Sequence, residues 1–332
     1  MPVGTIVSRE AKVSYLVFFG VLISVALLHL ATPFLVILFA SLILRLLRVL
    51  KKKWISITVF VLLVCGIFYG FGYFLKHAVT TLPHIASTSI PIVINYAKEK
   101  NLELPFADWD GLKALVVDGI YRELGDFAKV AQIATKEFVF LVISLVIAIG
   151  IFVDSRLNLD PVSGKSVNSL FAHICREITL RFHTFYKSFE TVMGAQMIIS
   201  AINTFFTGIF VYAIGLPFPT LIVVITFLCG LLPIIGNIIS NTIIFFFAIT
   251  VSLEKAVFSL LYLIVIHKLE YFLNSRIVGG RIRSPMWLTL SGLVIGERAL
   301  GVPGMIFAPV VLHYLRIELS RVELRDDGIH SL

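Results

Sequence analysis

The stretch "GLLPIIGN", Gly230 to Asn237, lies in the middle of a run from Thr220 to Leu253 that contains no charged residue. A run of this length is long enough to enter or cross a membrane, because a bilayer core of about 30 Å needs about 20 apolar residues of helix. Proline lacks a backbone donor and glycine permits a sharp turn, so Pro233 and Gly236 interrupt a helix that passes through them. The run therefore predicts two short helices, each about 22 Å long, joined by a break from Pro233 to Asn237.

Two arrangements of this broken run are open. In a re-entrant hairpin, both short helices enter the membrane from one side, and the break faces protein or water. The side-chain amide of Asn237 then forms hydrogen bonds with exposed backbone groups. In the other arrangement, the break is an ordinary loop that joins two spans at the membrane surface. Both arrangements return the chain to the side from which it started.

The whole chain has the composition of a membrane protein. Of its 332 residues, 58% are hydrophobic and only 14% are charged, and the mean hydropathy is +0.97. Backbone groups in lipid must be satisfied within helices or closed barrels, and the continuous apolar runs lack the alternation of barrel strands. The sequence predicts an all-α, polytopic membrane helical bundle with broken or re-entrant helices.

Further apolar and polar runs divide the chain into segments. An apolar hairpin over residues 13–47 is broken near His29 to Pro33, and a second broken hairpin over residues 286–315 includes Gly304 and Pro309 as candidate helix breaks. We predict N-terminal membrane helices at 1–75, a small extracytoplasmic helical insert at 76–137, a fourth membrane helix at 138–154, a cytoplasmic or interfacial amphipathic helix at 155–190, a C-terminal membrane core at 191–316 and a cytoplasmic tail at 317–332.

Basic residues predict the orientation. The segments around Lys51 to Lys53, Arg156 to Lys187, Lys268 to Arg283 and the C-terminal tail all fall on one side when the spans are counted, and an excess of Lys and Arg marks the cytoplasmic side. Both termini are then cytoplasmic. Topology and membrane lipid account for the formal charge of +8 without nucleic acid as a partner.

Sequence motifs for enzymatic chemistry are absent or incomplete. The string "SGKS" at Ser163 resembles a phosphate-binding loop, but Leu159 stands where its first glycine belongs. His267 and Glu270 do not have the order of a zinc protease motif, and two ligands do not make a metal site. We therefore predict no enzyme, no cofactor and no metal.

Polar groups in the apolar segments are the candidates for function. Charges at membrane depth are costly and are usually paired or beside water. Glu270 with Arg276, and Glu297 with Arg298, are candidates for an ion or substrate path, and all four are alternatively anchors at headgroup level. The predicted fifth span adds two uncharged candidates, Gln196 and Asn203.

Five strings in the second half of the chain carry a family resemblance. They are "GAQ" from Gly194, "GLP" from Gly215, "GLLPIIGN" from Gly230, "LEYFLNSRIVGGRIRSP" from Leu269 and "GVPGMIFAPV" from Gly301. In this order they resemble the autoinducer-2 exporter family of bacterial membrane transporters. Glu270, Asn274 and Arg276 match the later family signature, whereas Ser275 departs from it, and Asn237 replaces the last proline of the earlier signature.

The resemblance implies a transporter of the bacterial cytoplasmic (inner) membrane with about eight membrane segments that forms homo-oligomers. Members are associated with export of a small furanosyl signal, and others with exchange of sodium or lithium for protons. The predicted partners are therefore membrane lipid, a small solute or a monovalent cation with protons, and a second copy of the chain. A secondary transporter is the favoured class, and a channel-like pore or a membrane scaffold stays open.

Overall fold

The computed structural model describes residues 9–73, 76, 111, 127–154, 170–233, 235–273 and 285–321. This part of the chain contains ten α-helices and no β-strand. They are α1 (Arg9–Leu27), α2 (Ala31–Leu46), α3 (Lys53–Tyr73), α4 (Phe127–Val153), α5 (Leu170–Ala213), α6 (Pro219–Gly230), α7 (Ile235–Ile249), α8 (Leu253–Leu273), α9 (Met286–Leu300) and α10 (Val302–Ser320).

Seven of these helices are long and apolar enough to cross a membrane: α1, α2 with the short 3-10 helix that extends it to Leu50, α3, α4, α5, α8 and α10. Helices α6 and α7 are shorter, with 12 and 15 residues. The predicted all-α, polytopic architecture is confirmed. The chain is a multi-pass membrane protein.

Helix α5 joins two segments that the sequence divides. Its 44 residues run without interruption through the predicted boundary at residues 190 and 191, over about 66 Å. No proline interrupts this stretch, and one aromatic stripe holds its first half against the bundle. Phe185 and Phe189 are buried there with Phe18 of α1 and Tyr314 of α10. The amphipathic segment therefore packs against other helices of the protein.

Nine of the ten described helices form three packing groups that share α5 and α2, and α9 packs on α10. The first half of α5 packs with α1, α2 and α10 around the aromatic stripe. The second half packs with α6, α7 and α8 around Val211, Ile222 and Ile244. Helices α2, α3 and α4 enclose Leu44, Phe60 and other apolar side chains. Helix α5 is thus the element common to the frame and to the short helices.

The second hairpin corrects the prediction of breaks at Gly304 and Pro309. Helix α10 runs through both residues, and the chain turns instead at Gly301, whose φ is +65°. A Cβ at Gly304 would overlap the carbonyl group of Gly296 on α9, so glycine there allows the two helices to approach closely. Pro309 is buried inside α10, where packing overrides its tendency to end a helix.

Candidate functional site

The break between α6 and α7 is a tight turn. Helix α6 ends at Gly230 and α7 begins at Ile235, so Pro233 lies in the turn while Gly236 and Asn237 already belong to α7. The amide of Leu232 donates to the carbonyl oxygen of Cys229 over 2.8 Å. A Cβ at Gly236 would overlap that same carbonyl group, so only glycine fits this approach.

One face of α5 carries a row of polar side chains beside this turn. Gln196, Ser200, Asn203 and Thr207 are spaced by four, three and four residues, which places them on one side of the helix. We call these four residues the α5 polar face. They extend along about 16 Å of a helix whose other residues at this level are apolar except for Thr204.

Three members of the α5 polar face form hydrogen bonds to α6 or to α8. The amide of Gln196 donates to the carbonyl oxygen of Gly230 over 2.6 Å, and the hydroxyl of Ser200 donates to that of Phe227 over 2.9 Å. Both acceptors lie in the last turn of α6, where helix carbonyls lack intrahelical partners. The hydroxyls of Thr207 and Tyr262 share a hydrogen bond of 3.0 Å. The α5 polar face therefore links α5 to both α6 and α8.

The fourth member, Asn203, has an unsatisfied acceptor. The residue is 7% exposed, and its Oδ1 atom has no hydrogen-bond partner among the described residues. Leaving a buried acceptor without a partner costs about 1–3 kcal/mol. The hydroxyl oxygen of the next residue, Thr204, is likewise buried without a partner among the described residues.

Glu270 contacts the start of α7, directly after this turn. It lies near the end of α8, and its half-buried carboxylate accepts a hydrogen bond from the side-chain amide of Asn237. Asn237 is in the first turn of α7, where the helix dipole favours a negative charge. The two residues are separated by 33 positions in sequence. Their pairing was missed by sequence reasoning, which assigned Arg276 to Glu270.

Of the remaining sequence candidates for the path, only Glu297 and Arg298 lie within the described residues. Arg276 and Asn274 lie outside the described residues. Glu297 and Arg298 are in the last turns of α9, with 52% and 87% of their side chains exposed and 3.8 Å between the nearest charged atoms. No hydrogen bond or ion pair connects them to Glu270 within the described chain. The structure thus brings Asn237 to Glu270 and Gln196 to the carbonyl group of Gly230, both at the ends of the turn, while Glu297 and Arg298 form their contact on α9.

The tips of the two hairpins approach each other, a feature that sequence patterns did not indicate. Ile235, at the start of α7, packs against a cluster of Leu293, Met305 and Ala308 from α9 and α10. Leu232 in the turn and Leu300 at the end of α9 both pack against the aromatic core. An apolar contact between α6–α7 and α9–α10 therefore lies next to the polar groups at the turn.

A buried ion cluster joins α1, α5 and α10. The Arg181 guanidinium is 2.6 Å from the Glu318 carboxylate and 2.9 Å from that of Glu177. The Tyr15 hydroxyl donates a hydrogen bond of 2.9 Å to the Glu318 carboxylate. The Arg181 guanidinium carbon lies 4.2 Å from the centroid of the Tyr15 ring. Arg181 and Glu318 are 6% and 3% exposed. Because buried charges are costly unless paired, this cluster fixes α10 against α5.

The fold and these contacts define a class of protein: a multi-pass helical membrane protein with polar groups gathered around a broken hairpin. A family model described as AI-2E family transporter matches residues 12–320. The chain belongs to this family, and it is a membrane transporter.

A weaker similarity covers part of the chain. It is 26% identical over 181 residues to "Putative transport protein YdbI" of Bacillus subtilis (strain 168). The alignment covers 53% of this chain and 52% of that protein. The matched region thus spans about half the length of the relative.

Proposed function

We propose that the protein is a secondary transporter that carries a small solute or a monovalent cation along the α5 polar face and past the turn between α6 and α7. The contact between Asn237 and Glu270 carries this proposal, because it places an ionisable group beside a broken helix. Transporters use such breaks as binding sites, since the interrupted backbone supplies free amides and carbonyls. Glu270 holds a proton or a cation in turn.

The lengths of α6 and α7 support a re-entrant hairpin. Their 12 and 15 residues extend about 18 Å and about 22 Å, less than the bilayer core of about 30 Å. Lys255, at the start of α8, donates its ammonium to the carbonyl oxygen of Gly215 before α6, over 3.0 Å. The outer ends of the hairpin therefore lie together. In the proposed arrangement, its tip ends within the thickness that α5 and α8 cross.

The hairpin tips supply a closure for this path. Ile235 and its apolar neighbours on α9 and α10 exclude water on one side of the turn, while Glu270 and Gln196 contribute polar groups on the other. Separation of the tips would connect the polar groups to that side of the membrane. Alternating access then consists of movement of α6, α7 and α8 against the frame that the ion cluster of Arg181 and Glu318 holds.

Flux measurements on the purified protein in liposomes test the proposal. Two assays run in parallel: sodium flux coupled to protons, and efflux of a furanosyl signal. We expect Glu270→Gln to lower the active flux to the level of protein-free liposomes, because glutamine keeps the shape but has no exchangeable charge. Glu254→Gln, at the exposed start of the same helix, is the matched control and retains flux.

Parental flux in the Glu270→Gln variant, at normal yield and with normal thermal unfolding, would contradict the role of Glu270. No flux by the parent protein in either assay would contradict these two substrate classes and would leave a passive pore or scaffold as the better description.

We also propose that the chain lies in the bacterial inner membrane with both termini cytoplasmic, as the basic segments predict. The insert at residues 76–137 is then extracytoplasmic. A single cysteine at Lys113 should react with an impermeant thiol reagent on intact cells. Reaction only after the cells are opened would reverse this orientation. We further propose that the protein forms a homo-oligomer, as the family resemblance implies. Native mass spectrometry of the detergent-extracted protein would contradict this proposal by showing only single chains.

A further inference from the structure

The junction between α2 and α3 presents basic side chains that have no acidic partner among the described residues. It comprises the 3-10 helix Leu47–Leu50 and the residues up to the start of α3, and Arg48, Lys51 and Lys52 are exposed there. We call these three residues the basic junction. Both flanking helices are long enough to span a membrane, so the basic junction lies where the chain leaves and re-enters the bilayer.

Neighbouring basic residues are already engaged by the protein. Arg45 is 3.0 Å from the carboxylate of Glu190, which also binds Lys187 at 2.9 Å. Lys53 donates to the carbonyl oxygen of Val153 at the end of α4 over 2.8 Å. None of these ion pairs or hydrogen bonds involves Arg48, Lys51 or Lys52.

The basic junction itself has no acidic partner in the part of the chain that the structure describes. No carboxylate of the described chain lies within ion-pair distance of its three side chains, and the sequence has no Asp or Glu between Glu10 and Glu99. The Arg48 guanidinium is held over the ring of Phe152 at 5.4 Å, a contact that leaves its N–H edge free to bind an anion. Three positive charges therefore face outward at a fixed place on the surface.

Apolar side chains surround these charges. Val49 is 84% exposed and Trp54 is 81% exposed, and Leu50 is exposed between them. Tryptophan concentrates at the boundary between headgroups and acyl chains, because its ring is apolar and its N–H is polar. A surface that offers both phosphate-binding cations and an apolar border matches the two halves of a lipid molecule.

We propose that the basic junction binds the phosphate headgroup of an anionic phospholipid. Arg48, Lys51 and Lys52 contact the phosphate oxygens, and Trp54 with Val49 contacts the glycerol and upper acyl region. This site is independent of the transport path, since it lies on α2 and α3. A zwitterionic lipid is a poorer occupant, because its own ammonium opposes the three cations.

Quenching of Trp54 by brominated lipids measures this binding directly. The chain has three tryptophans, and Trp109→Phe with Trp287→Phe leaves Trp54 as the reporter. The full chain is reconstituted in phosphatidylcholine vesicles that contain either brominated phosphatidylglycerol or brominated phosphatidylcholine at the same mole fraction. We expect the lipid next to Trp54 to be enriched in phosphatidylglycerol over phosphatidylcholine by about fivefold or more. A single basic residue near an anionic surface already contributes an effect of about this size.

Two triple variants separate a site from general surface charge. Arg48→Gln, Lys51→Gln and Lys52→Gln together should abolish the preference. Lys12→Gln, Lys136→Gln and Arg316→Gln remove the same charge from exposed positions elsewhere and should keep it. Equal quenching by the two lipids in the reporter protein, or equal loss in both triple variants, would overturn the proposal.

Two further measurements, one at high salt and one with inorganic phosphate, test the same proposal. Salt at about 1 M, where the Debye length is about 3 Å, should weaken the preference in the reporter protein itself, so the test stands even if the first triple variant fails to fold. A preference unchanged by this salt would contradict binding through the three cations.

Inorganic phosphate should not displace the lipid, because it lacks the acyl region. Full displacement by inorganic phosphate would show a site for a soluble anion and contradict the lipid assignment.

Discussion

Adding one methyl group at Gly236 should force α6 and α7 apart at the turn. An alanine Cβ at this position would lie more than 1 Å inside the 3.0 Å that side-chain carbons keep from other atoms. The obstructing atom is the backbone carbonyl oxygen of Cys229, which no change of rotamer can move. The hydrogen bond from the Leu232 amide to the same oxygen must change as well.

The expected cost follows from two opposing effects. Overpacking of this kind destabilises proteins by about 1–3 kcal/mol, and a backbone obstruction belongs at the upper end. Replacing glycine by alanine in a helix stabilises it by about 0.5–1 kcal/mol. We therefore expect Gly236→Ala to lower the free energy of unfolding by about 2 kcal/mol and to reduce transport, because the turn carries Asn237 beside Glu270.

Unfolding equilibria in mixed micelles of detergent and sodium dodecyl sulfate measure this change. Gly150→Ala in α4 is the control, since a Cβ there meets no described atom within 4 Å and the helix gains propensity. It should be neutral or slightly stabilising. Equal free energies of unfolding for Gly236→Ala, Gly150→Ala and the parent would refute the tight approach of α6 and α7.

Two other predictions concern the frame and the closure. Arg181→Met should lower the free energy of unfolding by about 3 kcal/mol, because it leaves Glu318 buried without its closest cation. The double variant with Glu318→Leu should recover most of that loss. Additive losses of the two single variants, measured in the same micelles, would contradict a coupled pair. A cysteine-free variant that carries Ile235→Cys and Met305→Cys allows the hairpin tips to be joined by a short thiol–thiol cross-linker. Cross-linking should stop flux reversibly. Continued flux at complete cross-linking would show that the hairpin tips need not separate.

Local sequence patterns predict the all-α membrane architecture and a helix end before Pro233, although α5 crosses a predicted boundary and Gly236 and Asn237 belong to α7. Continuous apolar runs predict membrane helices because lipid leaves the backbone few alternatives. Pro233 predicts a helix end because its ring and missing N–H act on the adjacent turn, and α6 does end three residues before it. These effects need only neighbouring residues, so they can be read without knowledge of the fold.

Features that depend on distant residues could not be predicted in this way. Pro309 has the same local chemistry as Pro233, yet α10 continues through it because it is buried against neighbouring helices. Asn237 and Glu270 were each candidates, but nothing in their own segments indicated that the start of α7 meets the end of α8. The pairing of Arg181 with Glu318 spans 137 positions and likewise depends on how α10 packs. Packing, rather than local chemistry, decides these partners.

Thiol accessibility along α5 tests the proposed path most directly. After Cys65, Cys175 and Cys229 are replaced by alanine, single cysteines at Ser200 and Asn203 lie on the α5 polar face, and one at Ile198 lies on an exposed apolar face of the same helix. An impermeant methanethiosulfonate reagent reacts with thiols in water and not with thiols in lipid. We expect the Ser200→Cys and Asn203→Cys variants to be modified during transport, and to lose flux on modification, while Ile198→Cys stays unmodified. Modification of Ile198→Cys alone, or of none of the three in actively transporting protein, would contradict a transport path along the α5 polar face.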